Sequence, residues 1–579
     1  MIRIFKEYLK PYKGQAILII LLTIVATMSS LILPTLSKRI IDKGAISGDT
    51  AIITNTMIIM FVIAVLGLVF ALINNYISSK VAMQFARDLR QGFFEHVSYL
   101  SQGDINKFGA ATLISRQTND VQQLQTILSQ IFQMFLTAPV MVIGGIILAY
   151  VTAPKMFWMI AIMIPIAVVI LIVIMLKVMP IFRQTQIKLD AVNRIIRENL
   201  NGMRVIRAFN RESFEEEHFG VANDEYRDLA ERGNKTVNCL LPLTIGVVNA
   251  TNLLIIFFGS RYMESGSASY GDIQAFVQYV SMILLAFMLC SMLLVIIPRG
   301  QISAARLNEV FDTSSSIAET DHPAVIDDTA PKSIEFKNVT FTYEGADKPV
   351  LSDISFKATA GQTLAIIGGT GSGKSTILNL INREYDVTEG SVLIDGVDIR
   401  ELKLEDLHER IAAVPQKAFL FAGSILENIR YGREDATEDE VMHALTVAQA
   451  RDFVEEKEYG IYTYITQAGT NVSGGQRQRL AIARALVKKP DLYLFDDSFS
   501  ALDFKTDAKL RKKLKKETQD AVVLIVAQRV STIKDADLIL VLDSGRIAGA
   551  GTHDELMETC DIYREIAMSQ NSSEGGDVA

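Results

Sequence analysis

Six long runs of apolar residues, nearly free of charge, occupy most of the first 300 positions: 16–37, 52–75, 131–152, 156–178, 239–260 and 275–297. Each reaches or approaches the ~20 residues a helix needs to cross a ~30 Å hydrocarbon core. Ala16–Pro34 reads AILIILLTIVATMSSLILP and Trp158–Met175 reads WMIAIMIPIAVVILIVIM. A buried core helix explains one such run, not six in succession. The third and fourth runs are separated only by Thr152–Lys155, which predicts a tight helical hairpin. Arg3, Lys6, Lys10 and Lys13 precede the first run as they would a signal peptide, but the apolar stretch is too long and no small-residue cleavage site follows closely. It is therefore read as a span. Ile2, Ile4, Phe5 and Leu9 among those charges predict a short amphipathic helix in the interface. Six crossings return the chain to one side of the membrane. The early basic residues favour the cytoplasm, although Lys38, Arg39 and Lys43 after the first span weaken that bias.

Segments 76–130 and 179–238 are charged and helical in pattern, so spans two to five are expected to continue beyond the bilayer as helices. Each segment contains a break, near Phe108–Val121 and near Asn199–Glu212, with Gly109 and Gly202 as turn positions. No Asp, Glu, Lys or Arg lies in the middle of the six runs, whereas an ion-coupled carrier usually needs such a group. The energy source is expected elsewhere in the chain. Gln133, Asn249, Asn252 and Gln278 either line a pathway or hydrogen-bond between helices, the second being the commoner role. Met282, Met288 and Met292 offer an adaptable apolar surface or simply face neighbouring helices and lipid.

Composition sharpens this division. Of 579 residues, 49% are hydrophobic and 21% charged, which suits a lipid-soluble part joined to a water-soluble part better than either alone. The formal net charge of −8 argues against nucleic acid as a partner. Cys239, Cys290 and Cys560 are too scattered for a disulfide framework or a zinc site and read as buried thiols in a reducing compartment. There are only six histidines. The division predicts a membrane domain over 1–305, a polar, acidic linker over 306–330, a soluble domain over 331–568 and a polar tail over 569–579.

The soluble domain opens with strand-like segments and then TLAIIGGTGSGKSTILNLI. Gly368, Gly369, Thr370, Gly371, Ser372, Gly373, Lys374 and Ser375, followed by Thr376, fit GxxxxGK[ST] between an apolar strand and a helix. Glycines let successive N–H groups turn toward phosphate oxygens. Lys374 would then neutralise the β/γ-phosphates of a nucleotide, and the Ser375 hydroxyl would bind Mg²⁺. A second apolar strand, Leu492–Phe495, delivers Asp496 and Asp497 at its end, Asp496 for the Mg²⁺ and the adjacent position for the attacking water. Between them, Ser473, Gly474, Gly475 and Gln476 lead directly into a helix and make a second phosphate-binding end. Two such ends in one chain suggest nucleotides sandwiched between two copies of the domain.

In these motifs and their order the chain resembles the ATP-binding-cassette (ABC) exporters, as a half-transporter. The resemblance implies a multidomain membrane protein, a six-helix all-α transmembrane domain followed by an α/β P-loop nucleotide-binding domain. It implies that Tyr343 stacks on adenine, that Gln416 senses the γ-phosphate and Mg²⁺, and that Ser500–Asp503 passes between the two nucleotide sites. The helix breaks fall where the family has its coupling helices, and Ala536–Leu556 is similar to the family's closing stretch. Two positions depart from the family. Its catalytic Glu is Asp497 here, and its switch His is Gln528, in IVAQRVS. A carboxylate drawn back by one methylene is misplaced on a scale that costs about 10²-fold in rate, and an amide cannot carry imidazole's charge or relay its proton. Thr466–Asn471 also lacks the family's acidic residue before Ser-Gly-Gly-Gln.

These departures imply a degenerate ATP site on this chain's own P-loop, while the intact Ser473–Gln476 completes a hydrolysing site on a homologous partner. The expectation is a heterodimeric multidrug-type exporter in a bacterial cytoplasmic membrane, moving hydrophobic small molecules across the lipid bilayer. The alternatives are a nucleotide-gated regulatory or channel-like subunit, and a lipid or peptide exporter. Nothing before the first span looks like a peptidase domain, which disfavours a dedicated peptide exporter.

Overall fold

The computed structural model describes residues 1–574 except Asp321, Asp328 and Thr329, with side chains undescribed at Leu240, 290–295 and 571–574. Cys290, Met292 and the last part of the polar tail thus lie outside the described residues. The chain divides into two compact units, Met1–Ser98 with Ala110–Thr313, and Tyr99–Gly109 with Ser314–Ala579.

Among the described residues, the first unit contains six helices long and apolar enough to cross a membrane, the first five over Lys10–Ala45, Thr50–Ser98, Ala110–Thr152, Pro154–Ala208 and Glu212–Glu264. The sixth runs over Tyr270–Phe311. At 1.5 Å per residue the 55-residue fourth helix is about 80 Å long, well beyond a bilayer. The third and fourth are joined by Ala153 alone before the next turn begins at Pro154. The break expected within Asn199–Glu212 is present, but Gly202 is not its turning point, since helix continues from Phe157 to Ala208. The chain turns instead at Phe209–Arg211, where Asn210 takes φ 52°. Asn tolerates that left-handed conformation through its short polar side chain. Gly109 does turn the chain, with φ 77°. The N-terminal segment is helical over Ile2–Tyr8; its Ile4 is buried and Phe5 sits edge-on to Phe85 at 5.4 Å.

Polar contacts fasten the first and sixth spans. At the far end of the first, Asp42 accepts from Ser269 Oγ at 2.5 Å and from Gly271 N at 2.9 Å, while Lys38 pairs with Asp272 at 2.5 Å. Deeper in, buried Tyr279 donates to Leu31 O at 3.1 Å and shares a 2.6 Å hydrogen bond with Thr35. Near the other end, Asp120 of the third helix accepts from Ser303 Oγ at 2.8 Å, and Arg116 pairs with Glu309 at 2.8 Å. Of the cysteines expected to be buried, Cys560 is and Cys239 is not. Cys239 caps the helix that ends at Asn238, just before the apolar helix Leu240–Glu264.

The second unit is built on two main sheets. Among the described residues its twelve strands are β1 Ser333–Phe341, β2 Leu351–Thr359, β3 Thr363–Gly368, β4 Glu389–Ile394, β5 Val397–Asp398, β6 Ile411–Val414, β7 Gly423–Ser424, β8 Tyr464–Ile465, β9 Leu492–Asp496, β10 Val522–Val526, β11 Leu538–Asp543 and β12 Arg546–Gly551. The first sheet has the order β2-β1-β4-β5, the second β12-β11-β3-β10-β9-β6, and β7 pairs with β8. In the six-stranded sheet all but β12 run parallel. Parallel strands are covered on both faces and read as continuous apolar runs. VVLIV in β10 is buried at every position. One consequence positions the site: β3, β9 and β10 end side by side, with Val526 in register with both Ile366 and Asp496. Ligands of such sheets bind at the carboxyl ends of the strands.

Candidate functional site

At the end of β3 the chain must turn sharply into the helix Lys374–Ile381. A Cβ on Gly368 would lie 2.1 Å from Leu542 O, and Gly373 takes φ 99° with Leu351 Cδ2 at 2.5 Å from a Cβ position. Neither place admits a side chain. Gly369 and Gly371, by contrast, face open space. The Lys374 ammonium is folded onto its own loop, donating to Gly368 O at 2.9 Å and Gly369 O at 2.6 Å, with Ser372 Oγ at 3.4 Å. Burial pushes its pKa down, against the attraction of Asp496 and Asp497. Thr370 lies between these glycines on the exposed crest of the loop.

Parallel pairing brings the carboxylates beside this loop. Ser375 Oγ donates to Asp496 Oδ1 at 3.3 Å. Burial raises the Asp496 pKa; the Ser375 hydrogen bond and Lys374 pull it down, and Asp497 raises it. Asp497 is 8% exposed and adopts φ 45°. Its N–H donates to Val526 O at 2.8 Å, and its carbonyl accepts from Ser500 Oγ at 2.8 Å. Gln416 Nε2 donates to Asp497 Oδ2 at 3.3 Å. Gln528, two residues after β10, is exposed, and among the described residues its side chain makes no hydrogen bond to either aspartate. Its backbone is held: Gln570 donates through Nε2 to Gln528 O at 2.7 Å and accepts from Val530 N at 2.8 Å through Oε1.

An aromatic cluster borders the P-loop helix. Tyr343 shares a 3.2 Å hydrogen bond with Thr376 and meets Tyr385 edge-on at 5.1 Å. Tyr385 in turn lies against the short helix Gln102–Phe108: a Cβ on Gly103 would stand 2.9 Å from its ring, and Asn106 Nδ2 reaches its hydroxyl at 3.4 Å. Ser101 caps that helix, and its Asp104 accepts from Ser316 N at 2.9 Å.

Ser473 and Gln476 form a reciprocal capping box at the start of the helix Gly474–Lys488, Gln476 N donating to Ser473 Oγ and Ser473 N to Gln476 Oε1. This end is less open than its glycines suggest, because the motif's own side chains occupy two of its donors. Gly475 passes the following loop closely, a Cβ there standing 3.1 Å from Ala501 O. Gly474 faces open space. Asp503 caps the helix Phe504–Glu517, and its hydrogen bonds with Thr506 lower its pKa. In the loop before Ser473, where no acid is present, Asn471 does the tying, donating to Tyr464 O at 2.8 Å and accepting from Thr466 N at 3.1 Å.

The structure therefore gathers Lys374, Ser375, Asp496, Asp497 and Gln416 at one strand end and sets Tyr343 beside Thr376. Ser473–Gln476 bond among themselves. Tyr385 and Gln570 have no signal in the sequence, since each is defined by partners far away along the chain.

Comparisons with known proteins agree with this architecture. Residues 16–287 match the model of the ABC transporter transmembrane region, and residues 351–500 that of the ABC transporter. An uncharacterized ABC transporter ATP-binding protein of Mycobacterium tuberculosis is 40% identical over 576 residues, covering 99% of both chains. YfiB of Bacillus subtilis, also described as an uncharacterized ABC transporter ATP-binding protein, is 35% identical over 571 residues with the same coverage. Among solved structures, a bacterial Atm1-family ABC exporter with ATP bound matches with a TM-score of 0.79 and 26% identity, over 99% of each chain. The chain belongs to the ABC transporter family, as a multi-pass membrane half-transporter with an Atm1-type exporter fold and an ATP-hydrolysing domain on the cytoplasmic side.

Proposed function

We propose that this chain is one half of an ATP-driven exporter that moves amphipathic or hydrophobic molecules out of the cytoplasm, and that it works with a homologous partner carrying the residues it lacks. The single observation behind the heterodimer is the pair Asp497 and Gln528. The first is a buried aspartate at the strand end where the family has glutamate, and the second has a side chain without imidazole's proton chemistry. Two copies of this chain would have two weakened sites. One copy with a partner bearing Glu and His would have one slow site and one fast site, the fast one completed by Ser473–Gln476 of this chain. Export as the direction is supported by the Atm1-family fold and by a Rickettsia conorii relative described as a putative export ATP-binding/permease protein, 28% identical over 567 residues.

The residues at the strand end fit ATP with Mg²⁺. Glycines 371 and 373 hold the positive φ values that curl a loop around phosphate. The Ser375 hydroxyl, Asp496 carboxylate and Gln416 amide oxygen are the hard donors Mg²⁺ prefers. Bound Mg²⁺ supplies charge neutralisation at the phosphates. Lys374 neutralises charge beside it, Tyr343 offers its ring face to the base, and Asp497 orients water from a retracted position.

Kinetics of the co-purified pair test this reading. The partner's catalytic Glu changed to Gln is expected to abolish turnover, while Asp497→Asn leaves most of it. Equal loss from both changes sinks the degenerate-site reading.

A further inference from the structure

Among the first three spans lies a cavity of about 340 Å³, lined by Thr23, Thr27 and Ser30 of the first, Asn74 and Asn75 of the second and Gln133 of the third. Positions 23, 27 and 30 follow the i, i+4, i+7 spacing of one helix face, so the first span turns a polar stripe toward this space. Thr137, one turn beyond Gln133, joins the lining. Every polar residue in the lining is uncharged.

Two further observations separate this cavity from ordinary helix packing. Asn74 is 6% exposed, and although its Nδ2 donates to Thr23 Oγ1 at 3.2 Å, its Oδ1 is buried with no hydrogen-bond partner among the described residues. A buried amide oxygen within a membrane protein normally finds a donor. The third helix also widens into a π segment over Ile131–Phe135, with Gln133 at its centre. Such insertions recur at functional sites because they redirect side chains that a regular helix would place elsewhere. The helices approach closely nearby, a Cβ on Gly67 falling 3.0 Å from Ser29 Cβ, so the opening is local rather than a general looseness.

We infer that this cavity binds the uncharged, hydrogen-bonding head of an amphipathic molecule, with the molecule's chain along the neighbouring apolar side chains. The lining offers both donors and acceptors, which suits hydroxyl, ether and amide groups. It offers no formal charge to neutralise a cation or an anion in low dielectric. Leu68 and Met141 in the same lining supply apolar contact. The inference deepens the exporter reading and rests on it, since it names the chemistry of the head group that such an exporter would take up.

Cysteine protection tests it in the full chain, co-purified with its partner and reconstituted in lipid nanodiscs. A reporter, Ser30→Cys, is placed in a background with Cys239, Cys290 and Cys560 changed to Ser, and a second reporter, Phe61→Cys, samples the exposed face of the second span. The probes share a decyl chain and differ in head: decyl maltoside, decyltrimethylammonium and decanoate. Decyl maltoside is expected to slow maleimide modification of the cavity cysteine by about tenfold, which the other two do not, and to leave the Phe61 reporter unaffected. Asn74→Leu with Gln133→Leu is expected to abolish the protection while ATP-analogue binding stays intact, which controls for folding. Equal protection by all three probes, or by none, overturns the inference and leaves a cavity that holds only water or lipid. Protection without ATP-driven movement of decyl maltoside in vesicles keeps the site and sinks the exporter reading. Movement without protection does the reverse.

Discussion

Asp496 is a carboxylate held between competing forces. Burial opposes its charge first, Asp497 opposes it as well, and only the Ser375 hydroxyl and Lys374 favour it. Its pKa is therefore raised above the ordinary value of 3.8. For an acid with a raised folded-state pKa, the ionised form costs stability above the unfolded value, and that cost disappears once pH falls below it. Asp496→Asn mimics the protonated group. Thermal melts of the metal- and nucleotide-free protein are expected to show Asp496→Asn more stable near pH 7, with the gain vanishing as pH falls below about 4. In the chain expressed without a partner, the same variant should also lose the slow Mg²⁺-dependent hydrolysis of its own site. A melt difference independent of pH would mean that shape, not charge, sets the cost. Stability surrendered at a site for the sake of function is a general pattern, and here it has a named carboxylate.

At the scale of elements, the C-terminal helix Asp561–Glu574 holds the loop after β10 through one side chain, since Gln570 bonds Gln528 O and Val530 N on either side of Arg529. Each such bond contributes about 0.5–1.5 kcal/mol net. Gln570→Ala is expected to speed hydrogen exchange of the Val530 amide on the order of tenfold while amides within β10 keep their protection. Unchanged exchange at Val530 would remove the clamp from the account. No local pattern announced this contact, because its partners lie 40 and 42 residues away. The six spans and the P-loop were legible for the opposite reason: composition alone demands the spans, and a strand, a glycine turn and a lysine at fixed offsets specify the loop. Gly202 was a misleading signal. A lone glycine in a long helix is tolerated, whereas Asn210 turned the chain by accepting a left-handed conformation. The π segment around Gln133 was equally silent, since its apolar neighbours read as regular helix.

For the whole molecule, the deciding question is what one chain can do alone. Ser473–Gln476 are intact and the P-loop residues are gathered at the strand end, so on the proposed reading the catalytic side chains that two copies would lack are a glutamate and a histidine per site. Asp497→Glu with Gln528→His supplies both. The cost of the first change is modest but real, because position 497 has φ 45° and glutamate tolerates that conformation less readily than aspartate. Gln416, now donating to Asp497 at 3.3 Å, would meet a carboxylate extended by one methylene. Expressed without a partner, the natural chain is expected to bind ATP and turn it over slowly. The double variant should hydrolyse faster by something on the order of 10²-fold, the size of effect that recovered alignment of a water-orienting group can produce. Either single change should recover only part of that gain, because aligning water and sensing phosphate act together in one step. Steady-state phosphate release from the reconstituted chain measures it. A natural chain as fast alone as its restored variant would make a partner unnecessary, and the two departures from the family pattern would then be tolerated replacements.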